Sequence, residues 1–212
     1  MSGKKIFHDI TLDFSPDLVV YPGDPALEIT EHMKIENGDI ANISILRFGS
    51  HTGTHIDAPR HFIASGTTVD RLPLEHFIGK AKVFEFKNEE KIEADSLKGL
   101  EIARGDIILI KTKNSHVITN KEFKTDYTYI APDAAEYLAD IGIKTLGFDY
   151  LSVEKYGSGD FRAHHALLEK GIVIIEGLVL RGIKPGEYEI IALPLKIRNG
   201  NGSPVRAILI EG

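Results

Sequence analysis

Ser50-His51-Thr52-Gly53-Thr54-His55-Ile56-Asp57-Ala58-Pro59-Arg60-His61-Phe62 is the stretch whose reading decides the rest of the chain. Three of the nine histidines and one aspartate fall in it, at positions 51, 55, 57 and 61, all of one parity. Alternate side chains of an extended segment share a face, so one face would carry His, His, Asp and His. A continuous helix is the poorer reading, because Gly53 weakens one and Pro59 disfavours helical geometry at Ala58. Imidazole nitrogen and carboxylate oxygen are the usual ligands of catalytic zinc, and they also suit manganese or iron. A strand-to-loop passage with locally bonded polar groups would explain one stray histidine. Four candidate groups on one face, separated by small or rigid residues, point instead to a site. Gly53 permits close backbone approach, and Pro59 stiffens the exit from the segment.

Outward from this segment, composition sets limits. With 212 residues and 42% hydrophobic content, the chain can bury one sizeable core, and a single domain over 1–212 is expected. The net charge of −6, with no basic block to neutralise phosphates, argues against a nucleic-acid partner. There is no cysteine, so any metal must be held by His, Asp, Glu, backbone or water. The start, Met-Ser-Gly-Lys-Lys-Ile-Phe-His-Asp-Ile, has no apolar core of signal-peptide length, and no run approaches a membrane span. A cytoplasmic protein without a membrane partner is the expectation. Trp is absent, so ten Phe and seven Tyr must supply any aromatic pocket wall.

Strands are expected over 4–14, Ala26 to Met33 and Ile40 to Phe48, the last leading directly into the histidine segment. Tyr21-Pro22-Gly23-Asp24-Pro25 reads as a turn. Phe62 to Phe77 is irregular, with a short turn around Leu74-Glu75-His76; His76 and His116 read as surface or packing residues. Gly79 to Phe86, Asp106 to Thr112 and Lys144 to Asp149 read as further strands. Ala131 to Ile141 is the clearest helix, with Pro132 and Asp133 suited to its first turn and Ala134, Ala135, Leu138 and Ile141 as its apolar stripe.

A second cluster follows at Ala163-His164-His165-Ala166-Leu167-Leu168-Glu169-Lys170-Gly171, a short helix closed by Gly171. Ile172-Val-Ile-Ile-Glu176 then reads as a buried strand interrupted by a carboxylate. Burying an ionised glutamate without a partner is expensive, so Glu176 requires either a cation or a Lys or Arg partner.

The run from His51 to His61 resembles the signature of the metal-dependent cyclase family, which includes bacterial kynurenine formamidases (arylformamidases) and isatin hydrolases. The similarity extends to Tyr21-Pro-Gly-Asp, to Gly147-x-Asp149-x-x-Ser152, and to His164-x-x-Leu-Leu followed by Glu176 twelve residues after the histidine. It continues through Gly186 to Leu195 and Gly202 to Ala207. His164 fits that spacing and His165 does not. The resemblance implies that His51, His55, Asp57 and Glu176 hold a first metal, with Asp57 and Glu176 bridging to a second that His164 also ligates. One or two ions, Zn2+ first and Mn2+ as the alternative, are expected. His61 matches the family histidine that moves protons as general acid and base. Tyr21 stands where kynurenine formamidases commonly carry a tryptophan against the substrate; on residue chemistry alone packing and substrate binding both remain open. Asp149 and Ser152 are either support for the site or strand-end caps.

Three functions compete. Hydrolysis of N-formylkynurenine or a related aryl formamide comes first, then hydrolysis of another carbonyl substrate such as a cyclic amide of the isatin type. A non-catalytic metal-binding module comes third, and His61 argues against it, because storage requires no proton shuttle. The expected fold is α/β with a mixed, mostly β barrel-like core and flanking helices. The resemblance adds homo-oligomerisation as a dimer or tetramer, around a small-molecule substrate.

Overall fold

Residues 5–212 are described by a computed structural model. The strands, in chain order, are β1 (Ile6–Asp9), β2 (Glu28–Met33), β3 (Ile43–Arg47), β4 (His55–Asp57), β5 (Ile78–Phe86), β6 (Lys91–Ile92) and β7 (Ile107–Thr112). There follow β8 (Tyr129–Ile130), β9 (Thr145–Phe148), β10 (Val173–Glu176), β11 (Gly186–Ile191), β12 (Gly202–Pro204) and β13 (Ile208–Glu211). The helices are α1 (Ala94–Leu97), α2 (Pro132–Ile141) and α3 (Arg162–Leu168), with short 3-10 turns between elements. Lys4, where the first expected strand begins, lies outside the described residues.

Nine strands form one curled, half-barrel sheet in the order β1-β13-β11-β5-β7-β9-β10-β4-β12. The centre, β5-β7-β9-β10, is parallel, and the flanks are antiparallel. This matches the residues. Ile-Ile-Leu-Ile in β7 and Val-Ile-Ile in β10 are continuous apolar runs, as expected of parallel strands covered on both faces. On one face Ile108, Ile110, Leu146 and Ile174 pack against Leu138 and Leu167 of α2 and α3. On the other, Ile56, Ile107, Leu109, Val173 and Ile175 join Leu209 and Ile190 inside the curl. The mixed α/β, mostly β barrel-like core with few helices is therefore as expected.

Helix α2 shows why its sequence is legible. Pro132 opens it, where the missing N–H costs nothing, and Gly142 closes it at φ 78°. Its buried face is Ala134, Ala135, Leu138 and Ala139, small residues that bring the helix close to the sheet. β2 and β3 stand apart as a two-stranded sheet. Among the described residues no helix is long and apolar enough to cross a membrane.

Leu138 is fully buried between α2 and the sheet. Leu138→Ala should cost about 2–5 kcal/mol of folding free energy, read as a lower urea midpoint with an unchanged slope. Alanine is the better helix former, so the loss isolates packing. A change well under 1 kcal/mol would contradict this account of the core.

Candidate metal centre

β4 is only three residues long, and it lies between β10 and β12. In its register with β10, His55 faces Glu176, Ile56 faces Ile175 and Asp57 faces Ile174. Residues opposite one another in an antiparallel pair share a face. His55, Asp57 and Glu176 therefore project to one side, while Ile56 and Ile175 anchor the other side in the core. The alternation foreseen from parity holds across 55–57. His51 and His61 reach the same place by turns: Gly53 bends the chain at φ 67°, and Pro59–His61 is a 3-10 turn. β12 closes in so tightly that a Cβ on Gly202 would lie 2.4 Å from His51 Cε1.

Around Asp57 the two carboxylates and three imidazoles face one another. Asp57 Oδ1 lies 2.6 Å from His51 Nδ1 and 3.5 Å from His55 Nε2, and Asp57 Oδ2 lies 3.6 Å from His164 Nε2. Glu176 spans the same gap, Oε2 3.5 Å from His55 Nε2 and Oε1 3.4 Å from His164 Nε2. Each carboxylate thus offers one oxygen to each half of the cluster. Asp57 belongs both to a triad with His51 and His55 and to a triad with His164 and Glu176. The alternative of a Lys or Arg partner for Glu176 is not seen among the described residues; its partners are His55, His164 and the Val153 N–H, which donates at 2.7 Å.

Two observations fit this donor set to a divalent metal. First, Asp57 Oδ2 and His51 Nε2 are buried without a hydrogen-bond partner. Second, the 3.4–3.6 Å separations are long for charge-assisted hydrogen bonds of about 2.7–2.9 Å. They approach the roughly 3.3 Å between two ligands that each sit about 2.0 Å from one tetrahedral ion.

Electrostatics points the same way. Burial opposes charge on Asp57 and Glu176, but the surrounding imidazoles outweigh it and hold both below the usual carboxylate range, Asp57 far below. Burial also opposes charge on His55 and His164. The attraction of the facing carboxylates, Asp57 and Glu176 for His55 and Glu154 and Glu176 for His164, outweighs it and raises each to about 10. The buried acids thus favour positive charge on the facing imidazoles, and a dication could supply that charge in their place. His55 Nδ1 donates to Gly53 O at 2.9 Å, which leaves Nε2 turned toward the carboxylates.

A cavity of about 200 Å³ opens over the cluster, lined by Tyr21, Asp24, His61, Phe62, Leu151 and Phe161 together with His51, His55, His164 and Glu176. His61 stacks on His51 with ring centroids 3.8 Å apart. Burial pulls its pKa down to about 4, helped by neighbouring His51 and His164 and opposed by Asp57. Tyr21 lies on the cavity wall, edge-on to Phe123 at 5.3 Å. His165 is turned outward and pairs with Glu169 on the surface at 3.4 Å. A larger groove of about 680 Å³ at the β1-β13-β11-β5 end of the sheet is lined by Lys80, Glu187, Tyr188 and others, with no histidine among them.

Asp149 is not at the cluster. Its carboxylate accepts from Thr112 N and Oγ1 and from Ser115 N and Oγ at 2.6–3.0 Å, pinning the turn after β7. Ser152 lines the cavity and accepts from Glu154 N at 3.1 Å. Glu154, Asp24, Phe62 and Phe161 are near or in the site and were not singled out from sequence. Phe161 sits in left-handed backbone at φ 48° and packs its ring 5.2 Å from Phe62 at the cavity wall. No residue spacing marks Glu154 as different from an exposed acid.

With this geometry in hand, comparisons with known proteins are informative. The Cyclase family model matches residues 8–155. The kynurenine formamidase of Salinibacter ruber is 41% identical over 203 residues, 95% of each chain. A solved structure of a predicted metal-dependent hydrolase from Bacillus stearothermophilus superposes with TM-score 0.87 at 32% identity, covering 99% of this chain and 100% of that one. An isatin hydrolase structure shares the fold, with TM-score 0.88 at 24% identity over 99% of this chain and 94% of that one.

The close approach at Gly202 is open to a direct check. Gly202→Ala should push the His51 ring out of register and lower the divalent-metal content of purified protein while the fold survives. Elemental analysis giving wild-type content would show that His51 is not held by this contact.

Proposed function

We propose that this chain, which belongs to the Cyclase family, is a cytoplasmic metal-dependent hydrolase that converts N-formylkynurenine to kynurenine and formate. The observation that carries the reading is the double triad around Asp57 with His61 and an aromatic wall beside it. His51, His55, Asp57 and Glu176 would hold a first ion, and Asp57 and Glu176 would bridge to a second held also by His164. Three imidazoles and no sulfur suit Zn2+, with Mn2+ the alternative. A divalent cation held there supplies Lewis-acid polarisation of a carbonyl and acidifies water to a pKa of roughly 7.

The chain's own groups do the rest. Tyr21, Phe62 and Phe161 offer faces and edges to an aryl ring, and the small cavity orients the formyl group toward the carboxylates. Water adds to the formyl carbon as His61 takes its proton. The carbon–nitrogen bond then breaks as His61 returns that proton to the leaving aryl nitrogen, so formate and the amine depart. His61 suits this task because it stacks beside the cluster without belonging to either triad.

His61→Ala should retain nearly full metal content and lose about a hundredfold to ten-thousandfold in turnover, the usual contribution of a positioned acid–base group. KM should change less. Elemental analysis beside kinetics on a panel of aryl formamides and cyclic amides decides the matter. Metal lost in step with activity would move His61 into the ligand set, and a preference for cyclic amides would move the substrate.

We also propose a homodimer or homotetramer. Ile29, Ile43, Ile45 and Leu46 of the β2-β3 hairpin are exposed, and an isolated two-stranded sheet is marginal in water. Ile45→Lys should shift light-scattering mass toward the 23.4 kDa chain. Wild-type protein already at that mass would end the proposal.

A further inference from the structure

Glu154 is buried, although it belongs to neither triad. Its Oε2 accepts from three donors: Ala163 N at 3.1 Å, His164 N at 3.3 Å and His164 Nδ1 at 3.1 Å. Carboxylate oxygens are acceptors, and this one already takes two backbone N–H groups, so the His164 ring donates to it through Nδ1–H. That leaves His164 Nε2 as the atom facing Asp57 Oδ2 and Glu176 Oε1. Glu154 is itself fixed from both sides: its N–H donates to Ser152 Oγ at 3.1 Å, and its carbonyl accepts from Tyr127 O–H at 2.6 Å.

A simpler role would be to cap α3, whose N-cap residue, Phe161, makes no side-chain cap bond. Capping alone explains the two backbone contacts and leaves the third without a reason. A helix N-terminus is ordinarily capped by a short exposed side chain without burying a charge, so burial of a full carboxylate here calls for more than a cap. The neighbouring Val153 N–H donates to Glu176 Oε1 at 2.7 Å. One short loop after β9 therefore reaches two of the facing groups, one through backbone and one through a side chain.

We propose that Glu154 is the positioning residue of the centre, holding His164 with Nδ1 protonated and Nε2 presented to a cation shared with Asp57 and Glu176. The inference rests on the metal-centre reading of His164. A carboxylate behind a ligating imidazole fixes its tautomer and raises its basicity, and loss of such a partner typically weakens metal binding by about 10–100-fold.

Glu154→Gln tests this, because glutamine keeps an amide oxygen for the helix N–H groups but drops the charge behind the imidazole. Zn2+ affinity, measured by competition with a chromophoric chelator, should fall about 10–100-fold while the Tm of the metal-free variant stays near wild type. Glu169→Gln, on the exposed side beside His165, should change neither. Unchanged Zn2+ affinity in a folded Glu154→Gln protein would overturn the proposal and leave the metal-centre reading standing. Wild-type protein that binds no divalent cation would remove both. If the variant does not fold, the wild-type protein still decides. In Zn2+-loaded, 15N-histidine-labelled protein, His164 should carry its proton on Nδ1, whereas a proton on Nε2 would overturn the assignment.

Discussion

Two carboxylates buried side by side are the constraint on which this structure depends. Asp57 and Glu176 are almost wholly out of water, on adjacent strands, facing the same way. Two like charges so placed repel, and each loses hydration worth several kcal/mol at least. Such a pair persists only where positive charge is concentrated around it. The chain sets His55 of β4 and His164 of α3 against both carboxylates, and His51 of the turn before β4 against Asp57. The sheet order serves the same end. Placing β4 between β10 and β12 sets the His55–Asp57 strand beside the Glu176 strand, although about 120 residues separate them in sequence.

Such proximity requires backbone to approach backbone. A Cβ on Gly177, the residue after Glu176, would lie 2.5 Å from Gly53 O. The contact is tightened by Thr54 Oγ1, which donates to Gly177 O at 2.6 Å and accepts from Leu12 N at 2.8 Å. Glycine at 177 is therefore part of the electrostatic arrangement. It allows the segments that carry His55 and Glu176 to meet without a side chain between them, and Thr54 supplies the hydrogen bonds that β-ladder pairing would otherwise provide.

Much of this was readable in the sequence because it depends on local rules. The apolar runs of 106–112 and 172–176 mark buried strands, and Pro132 with Asp133 marks the start of α2 by backbone geometry alone. The parity of residues 51 to 61 foretold a shared face, yet only 55 to 57 obtain it by alternation. His51 and His61 arrive through the Gly53 bend and the Pro59 turn, outcomes that a two-residue period does not encode. Sequence leaves Asp149 open between support for the site and a strand-end cap, and its carboxylate serves the turn after β7. Glu154 was illegible for a plainer reason. Its role depends on a loop after β9 meeting a helix that begins eight residues later, and no local pattern fixes where that loop goes.

On the proposed reading of the site, the arrangement also separates the work of holding a metal from the work of transferring protons. His55 and His164 are enclosed, and each has its outer ring nitrogen committed, to Gly53 O and to Glu154 respectively. An imidazole with one nitrogen tied behind it and the other facing carboxylates has no path by which to exchange a proton with a substrate. His61 is different in both respects. It makes no hydrogen bond to either carboxylate, lies against the His51 ring, and borders the cavity that Tyr21, Phe62 and Phe161 enclose. Burial disfavours its protonated form, which leaves a free base at neutral pH next to the charged cluster. The same eleven-residue run therefore supplies both kinds of histidine. The 3-10 turn at Pro59 sets the last of them against the His51 ring on the wall of the cavity.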